Sequence, residues 1–448
     1  MRKITLITFL LLAIGMTAQE KQPEKFSFSL EQAVSHALEH NYTVINSGRD
    51  IDIAKKKKWE TTAAGLPQIN AGVDYQYNFE LQKSIVPAEF FGGNPGEFIE
   101  VAFGTKHTMT GRATLSQLIF DGSYIVALQA SKTYLQYYQN AKVKTDNEVR
   151  EMVINAYGNV LLAEESIAIL EKNKSILQKI LGDTQETFKN GLIEEENVEQ
   201  LQITLTTVNS SLNNAVRLRD IAYKMLKINL GLDINDELTL TDKLDSLTLQ
   251  NLDFALTQTG FNVNENIDYK IAQNFTEQRK LEYKLERSKA LPTLSANLNF
   301  GYNAFNDQFE FFQKDQKWLN YSNLGVSLNV PIFSSGARSA RTAQAKIRLE
   351  QANTQLTETE QKLKLAYESA KSEYDFAVEE FNTSKSNLKL AERIENKQQI
   401  KFTEGLSTSF DFSDAQRQLY TAQQSYLQSM IDVINKRAAL EKIINNKK

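Results

Sequence analysis

His36 and His40 stand four apart in SLEQAVSHALEHN (residues 29–41), a spacing that puts two imidazoles on one face of a helix and could share a metal ion. No third ligand of suitable spacing accompanies them, so a solvated or interfacial helix face is the expected role. His107 is isolated, and the chain has 3 histidines and no cysteine. The lack of cysteine removes thiolate metal sites, thiol nucleophiles, disulfides and a lipidated-cysteine anchor. Neither a P-loop nor a GxSxG nucleophile elbow is present, so no catalytic, cofactor-binding or metal-ligating residues are expected. One further pair carries charge at a telling spacing. Asp411 and Asp414 in FDFSDA (410–415) share a helical face. On residue type alone they are acids in the first turn of a helix, favoured there by its dipole.

The elements that position such groups are constrained by composition. The 448 residues include 6 prolines and 19 glycines, few for a multidomain globular chain, which implies long uninterrupted helices. The 51 basic and 55 acidic residues are intermixed and give a net charge of -4, so no large field favours nucleic acid or an anionic membrane surface. The run Lys55 to Lys58 has no aromatic or glycine-rich company and reads as a solvated helix face. Residues 1–18 combine Arg2 and Lys3, an apolar core from Ile4 to Ile14 and small residues up to Ala18, the pattern of a secretory signal peptide. No later segment approaches the ~20 apolar residues of a spanning helix, so any membrane-embedded part must be built of strands.

The same plan occurs twice. AGLPQINAGVDYQYNF (64–79) returns as KALPTLSANLNFGYNAF (289–305), ATLSQLIFDG (113–122) as VSLNVPIFSSG (326–336), and FKNGL (188–192) as FTEGL (402–406). This divides the mature chain into a first repeat (19–231), a connector (232–267) and a second repeat (268–448). In each copy Leu-Pro stops a helical pattern, because the residue before proline is pushed out of the helical region. A strand follows. In INAGVDYQYNFELQ (69–82) Ile69, Ala71, Val73, Tyr75, Tyr77, Phe79 and Leu81 alternate with polar residues or glycine. Leu294 to Tyr302 repeats the pattern, and Met109 to Ser116 and Asn323 to Val330 supply return strands.

Four strands with one apolar and one polar face can pack on helices as a small sheet. They can also line water on the side rich in Asn, Ser, Gln and Gly and meet lipid on the aromatic side. A closed barrel needs about eight strands, so four could close only by sharing a barrel with other chains. After Phe120-Asp121-Gly122 and Phe333-Ser334-Ser335-Gly336 come proline-free helical patterns of roughly 65 residues, about 100 Å long at the usual rise. The returning helices carry Val198, Leu201, Leu205, Val208, Leu212 and Ala215, and Phe412, Ala415, Leu419, Ala422 and Tyr426, each at alternating spacings of 3 and 4. That is a coiled-coil seam.

In order and duplication these motifs resemble the TolC-like outer-membrane efflux protein family across the whole mature chain. VPAEFFGG (86–93) and FGTKH (103–107) are also similar to the segment between the first two strands of some members. The resemblance implies a mainly α fold with transmembrane β: a homotrimer whose strands, four per chain, form one 12-strand barrel in the outer membrane of a Gram-negative bacterium. Long coiled-coil helices would form a periplasmic α-barrel. It makes Val73, Tyr75, Tyr77 and Phe79 lipid-facing, and Gly191, Leu192, Gly405 and Leu406 the tips that dock on a periplasmic adaptor working with an inner-membrane pump of RND or ABC type. It makes Asp411 and Asp414 the aperture, as rings of carboxylates that attract cations. Asn197 stands where the first copy would place Asp411, behind Glu194 to Glu196, and Phe402 and Ser407 replace the Tyr and Arg gate partners of the best-known members.

The implied function is a passive exit duct for drugs, other small toxic compounds or metal ions. The exit duct of a type I protein secretion system has the same architecture. From another class, a non-conducting periplasmic coiled-coil scaffold or adhesin would keep the helices and lack the barrel. An anchored enzyme lacks a catalytic constellation.

Overall fold

The computed structural model describes residues 24–252 and 260–444. The expected signal peptide (1–18) and residues 253–259 of the connector lie outside the described residues. In chain order the elements are β1 (Lys25–Phe28), α1 (Leu30–His40), α2 (Tyr42–Ala63), β2 (Gln68–Tyr77), β3 (Lys83–Pro87), β4 (Phe98–Ala102), β5 (His107–Asp121), α3 (Gly122–Lys189), α4 (Glu195–Leu230), β6 (Glu237–Leu240), α5 (Leu244–Gln250), α6 (Ile267–Ser288), β7 (Thr293–Asn306), β8 (Trp318–Asn329), α7 (Ala337–Thr403) and α8 (Ser409–Ile444). The outgoing helices α3 and α7 run for 68 and 67 residues.

Two compact units divide these elements, and each draws on both sequence copies. One comprises Ile51–Gln139 and Ala272–Leu356, the other Met1–Asp50, Asn140–Ile271 and Thr357–Lys448. The first holds a four-stranded antiparallel sheet in the order β2-β5-β7-β8. Pairing runs from Gln68↔Ser116 to Tyr77↔His107 across β2 and β5, and from Thr293↔Asn329 to Ala304↔Trp318 across β7 and β8. The entry to β2 is locked where α2 stops. Tyr124 donates to the Thr62 carbonyl at 2.9 Å, and its ring lies where a Gly65 side chain would be, 2.2 Å from an ideal Cβ. Gln117 donates to the Gly65 carbonyl at 2.9 Å. The β8 exit turns through Ser335 and Gly336, both at positive φ, and Arg338 donates back to the Pro331 carbonyl at 2.7 Å.

The second unit is helical around a core that includes Val153, Tyr157, Val160, Leu226, Leu230, Tyr374, Phe381, Met430 and Ile431. Short strands β1 and β6 pair in parallel beside it, a contact between segments too short and too distant in sequence to show as a pattern. Asp242 ties them in. Its Oδ2 accepts from Leu30 N at 2.7 Å and from the Tyr157 hydroxyl at 3.0 Å, and that hydroxyl also reaches the Phe28 carbonyl. Burial pushes the Tyr157 phenol far above its ordinary value, so it stays a donor at any physiological pH. Ser29 and Gln32 close a capping box at the start of α1, giving it a sharp N-terminus. One point corrects the sequence expectation. α3 contains a stretch long and apolar enough by composition to cross a bilayer. Its apolar residues Val153, Tyr157 and Val160 are buried in the helical core, which accounts for their character without lipid.

Helix α4 ends at Gly231, whose φ of 79° is left-handed, and a Cβ there would meet the His40 carbonyl oxygen at 2.2 Å. Asn41 completes the junction by donating to the Asn229 carbonyl at 2.8 Å. Gly231→Ala is therefore expected to destabilise the protein by about 2 kcal/mol or more, from backbone strain plus the clash. Denaturant unfolding followed by circular dichroism checks this, and an unchanged midpoint would contradict the close packing.

Candidate functional site

Both helical hairpins turn by the same backbone chemistry. Gly191 (φ 75°) and Gly405 (φ 71°) follow the ends of α3 and α7 in the left-handed region. In the first tip Gly191 N donates to Phe188 O at 2.7 Å and Leu192 N to Thr187 O at 3.2 Å. In the second, Gly405 N donates to Phe402 O at 3.0 Å and Leu406 N to Lys401 O at 2.7 Å. This is the Schellman pattern, in which the residue after glycine usually packs back on its own helix. Here Leu192 and Leu406 instead stand 75% and 77% exposed.

Asp411 and Asp414 lie just beyond the second tip, each bound by its own neighbours. Asp411 Oδ2 accepts from the Thr408 hydroxyl at 2.7 Å and from Thr408 N at 3.1 Å, while the Thr408 hydroxyl accepts from Asp411 N. The pair is a capping box that starts α8. Asp414 accepts from Arg417 and from Gln418. These hydrogen bonds, from Thr408 in one case and Arg417 in the other, hold both carboxyls below the ordinary aspartate range. Within one chain both acids are thus structural groups of the first turns as well as negative charges. Asn197 lies across the tip and accepts from Ser409 N at 3.3 Å.

Behind the tips an apolar core joins Leu177, Ile180, Leu181, Leu201, Leu205 and Phe412, with Phe402 stacked on Phe412 at 5.6 Å. Phe402 is thus a packing residue. Polar groups punctuate the helix pairs: Asn173 donates to Gln423 at 2.9 Å, Ser384 and Ser429 lie 2.6 Å apart, and Gln416 donates to the buried Glu395. Burial pushes the Glu395 carboxyl above its ordinary value. The heptad pattern picked out the apolar seam. It gave no sign of these buried polar contacts, because a lone Glu or Asn in a polar helix looks solvated.

On the sheet, Val73, Tyr75 and Tyr77 lie on the same face as Leu298, Phe300, Tyr302, Leu324, Val326 and Leu328, and every one of them is exposed. Phe79 lies past the end of β2, so it belongs to the loop and not to the strand. On the opposite face Thr114 donates to Asn299 at 2.8 Å and Asn299 to Asn323 at 2.9 Å, a hydrogen-bonded polar row across three strands. His36 and His40 stack with ring centroids 4.1 Å apart, and His36 packs on Phe28, its imidazole held below the ordinary value first by burial and then by His40. Among the described residues no group of three or more His, Cys, Asp or Glu could hold a metal ion. His107 bonds the Tyr75 hydroxyl at 2.8 Å.

Residues 270–446 match the outer membrane efflux protein family. Over most of its length the chain is similar to outer membrane protein TolC of Escherichia coli strain K12, 23% identical over 434 residues that cover 92% of this chain and 82% of that protein. Outer membrane protein TolC of Vibrio cholerae serotype O1 is 22% identical over 417 residues, covering 91% and 88%. In fold the chain is similar to CusC, with a TM-score of 0.74 at 15% identity over 95% of each chain. The Campylobacter jejuni CmeC outer membrane channel gives 0.70 at 16% identity, covering 96% of this chain and 90% of that one.

The buried Glu395 fixes the sign of one pH effect. Its pKa is raised on folding, so its contribution to stability is fully present below the ordinary glutamate range and is lost as pH rises through the folded-state value. Asp411 and Asp414 are depressed and act in the opposite sense, losing their contribution only as pH falls below the ordinary aspartate range. Glu395→Gln keeps an acceptor for Gln416 and removes the charge. Thermal unfolding at mildly acidic and neutral pH is expected to show the variant gaining stability over the parent at neutral pH, with the difference shrinking towards acid. A constant difference would contradict this.

Proposed function

We propose, from the premise that this chain is a TolC-like outer-membrane efflux protein, that three copies form the exit duct of a tripartite efflux system. The duct carries drugs, other small toxic compounds or metal ions outward, driven by an inner-membrane pump of RND or ABC type through a periplasmic adaptor. One observation carries the reading: a four-stranded antiparallel sheet with an exposed aromatic and aliphatic face, a hydrogen-bonded polar face, and open edges at β2 and β8. Lipid accounts for the first face and a water-filled lumen for the second. Edge pairing with two further copies gives twelve strands, four from each.

The helices support the same assembly. Besides the stripe packed within the chain, α4 carries a second one, Leu218, Ile221, Met225 and Ile228, at spacings of 3 and 4 and each at least 50% exposed. On α7, Leu365, Phe376, Leu390 and Ile394 are also exposed and fall within about 40° of one another around the helix. Apolar stripes of this length need a partner helix, and neighbouring copies supply one. In this reading the repeats (19–231 and 268–448) flank the connector (232–267). Val73, Tyr75 and Tyr77 face lipid, and Phe79 sits at the loop boundary. Gly191, Leu192, Gly405 and Leu406 form the adaptor-docking tips, where exposed leucines offer an apolar anchor. Asp411 and Asp414 ring the aperture.

Protein purified from outer membranes is expected to be a trimer with a small, cation-preferring conductance in planar bilayers. Leu218→Asp with Met225→Asp should break the trimer, and Asp411→Ala with Asp414→Ala should weaken cation preference in trimers that still assemble. A silent monomer in mild detergent would contradict the duct, and unchanged selectivity in the aspartate variant would remove those residues from the aperture.

A further inference from the structure

Across the four long strands Asp, Glu, Lys and Arg are almost absent. Asp74 on β2 and Arg112 on β5 are the two within the sheet, with Asp121 at the terminus of β5. The two point to the polar face and meet. Arg112 Nη2 lies 3.3 Å from Asp74 Oδ2, with both side chains well over half exposed. Such an exposed pair adds little to stability, so stability alone does not account for it.

The cross-strand neighbours of Arg112 are glycines. Arg112 pairs with Gly72 on one side and Gly301 on the other, and the row ends at Tyr321. A Cβ on Gly301 would meet the Tyr321 ring at 2.8 Å, so the ring lies over the glycine on the same face as Arg112. Gly72 and Gly301 place no side chain of their own beside Arg112, and the Tyr321 ring takes the space over Gly301. The row on one side, Asn70, Thr114, Asn299 and Asn323, is neutral and polar throughout, while the row on the other carries Asp74 itself, then Thr110, Asn303 and Leu319.

We infer that Arg112 and Asp74 form a charge-compensated collar on the water-facing side of the barrel, which keeps the duct's outer segment free of ion preference. This rests on the exit-duct reading. Three copies place three guanidinium groups and three carboxylates at one level of an otherwise uncharged wall. Passing anions meet Arg112 and cations meet Asp74, and the balance leaves the barrel without preference, so selection falls to the tips. Removing one partner uncovers the other, and its field acts on permeant ions over about 10 Å at 0.1 M salt and about 3 Å at 1 M.

The test measures reversal potentials under a salt gradient in trimers of the Asp411→Ala, Asp414→Ala background, where the tip acids no longer mask the barrel. In that background R112Q is expected to shift permeability several-fold towards cations and D74N several-fold towards anions. The double variant R112Q/D74N should return to the background value, and both shifts should fade at high salt. Conducting trimers whose single variants keep the background reversal potential would overturn the collar and leave the duct intact. The collar is also overturned if R112Q fails to assemble while R112Q/D74N assembles, since the pair would then serve folding. A parent trimer that does not conduct overturns the duct itself, and the collar with it.

Discussion

A peptide group left unpaired in hydrocarbon costs several kcal/mol, and the sheet leaves one row of such groups along β2 and another along β8. The same strands expose Val73, Leu324, Val326 and Leu328 on one face. In water such a sheet would aggregate through its edges and its greasy face. In a bilayer the greasy face is satisfied and the edges are not. The edges therefore demand closure, and a single chain with four long strands cannot close on itself. Assembly is in this sense a condition of inserting the strands at all.

The helices meet the complementary requirement. Packing within the chain uses one stripe of α4, with Leu201, Leu205 and Ala215 buried, and leaves the Leu218 to Ile228 stripe in the open. In the proposed assembly this stripe is where neighbouring chains meet. Buried polar groups such as Asn173 with Gln423 and Ser384 with Ser429 contribute little net stability. They act against register slips, because a shifted helix would leave each of them unpaired in the seam. Near the tips polar contacts accompany the apolar core around Phe412. The capping box at Thr408 and Asp411, the Asn197 contact to Ser409 and the Glu395 contact to Gln416 make the hairpin ends dependent on short-range hydrogen bonds.

Much of this was legible from residue order because its causes are local. Leu66-Pro67 and Leu291-Pro292 stop helices by steric conflict, alternation at Val73, Tyr75 and Tyr77 states a two-faced strand, and Gly191 and Gly405 mark turns that need positive φ. What stayed hidden depends on pairing that no local residue pattern announces. β1 and β6 are short strands joined across some two hundred residues, β3 and β4 form a hairpin whose strands lack clean alternation, and Phe79 continues the alternation past the residue where pairing ends. At FDFSDA the sequence showed two acids on one face; the structure shows that each also caps or braces its own helix turn. Asp74 and Arg112 each read as one more polar residue in an alternating strand, and the register alone brings them together.

Inter-chain pairing of β2 with β8 is tested most directly by cross-linking, and the chain has no cysteine to confuse the result. With Val73→Cys on β2, each outward position of β8 from Trp318 to Leu328 is replaced by cysteine in turn, and the protein is oxidised in its native membrane. Inside one chain β5 and β7 separate these strands by three spacings of about 4.8 Å, beyond the reach of a disulfide. Closure as proposed predicts that at least one register gives a covalent product of three chains on a denaturing gel and nothing larger. Monomer at every register, in membranes where the protein is correctly inserted, would contradict the shared barrel.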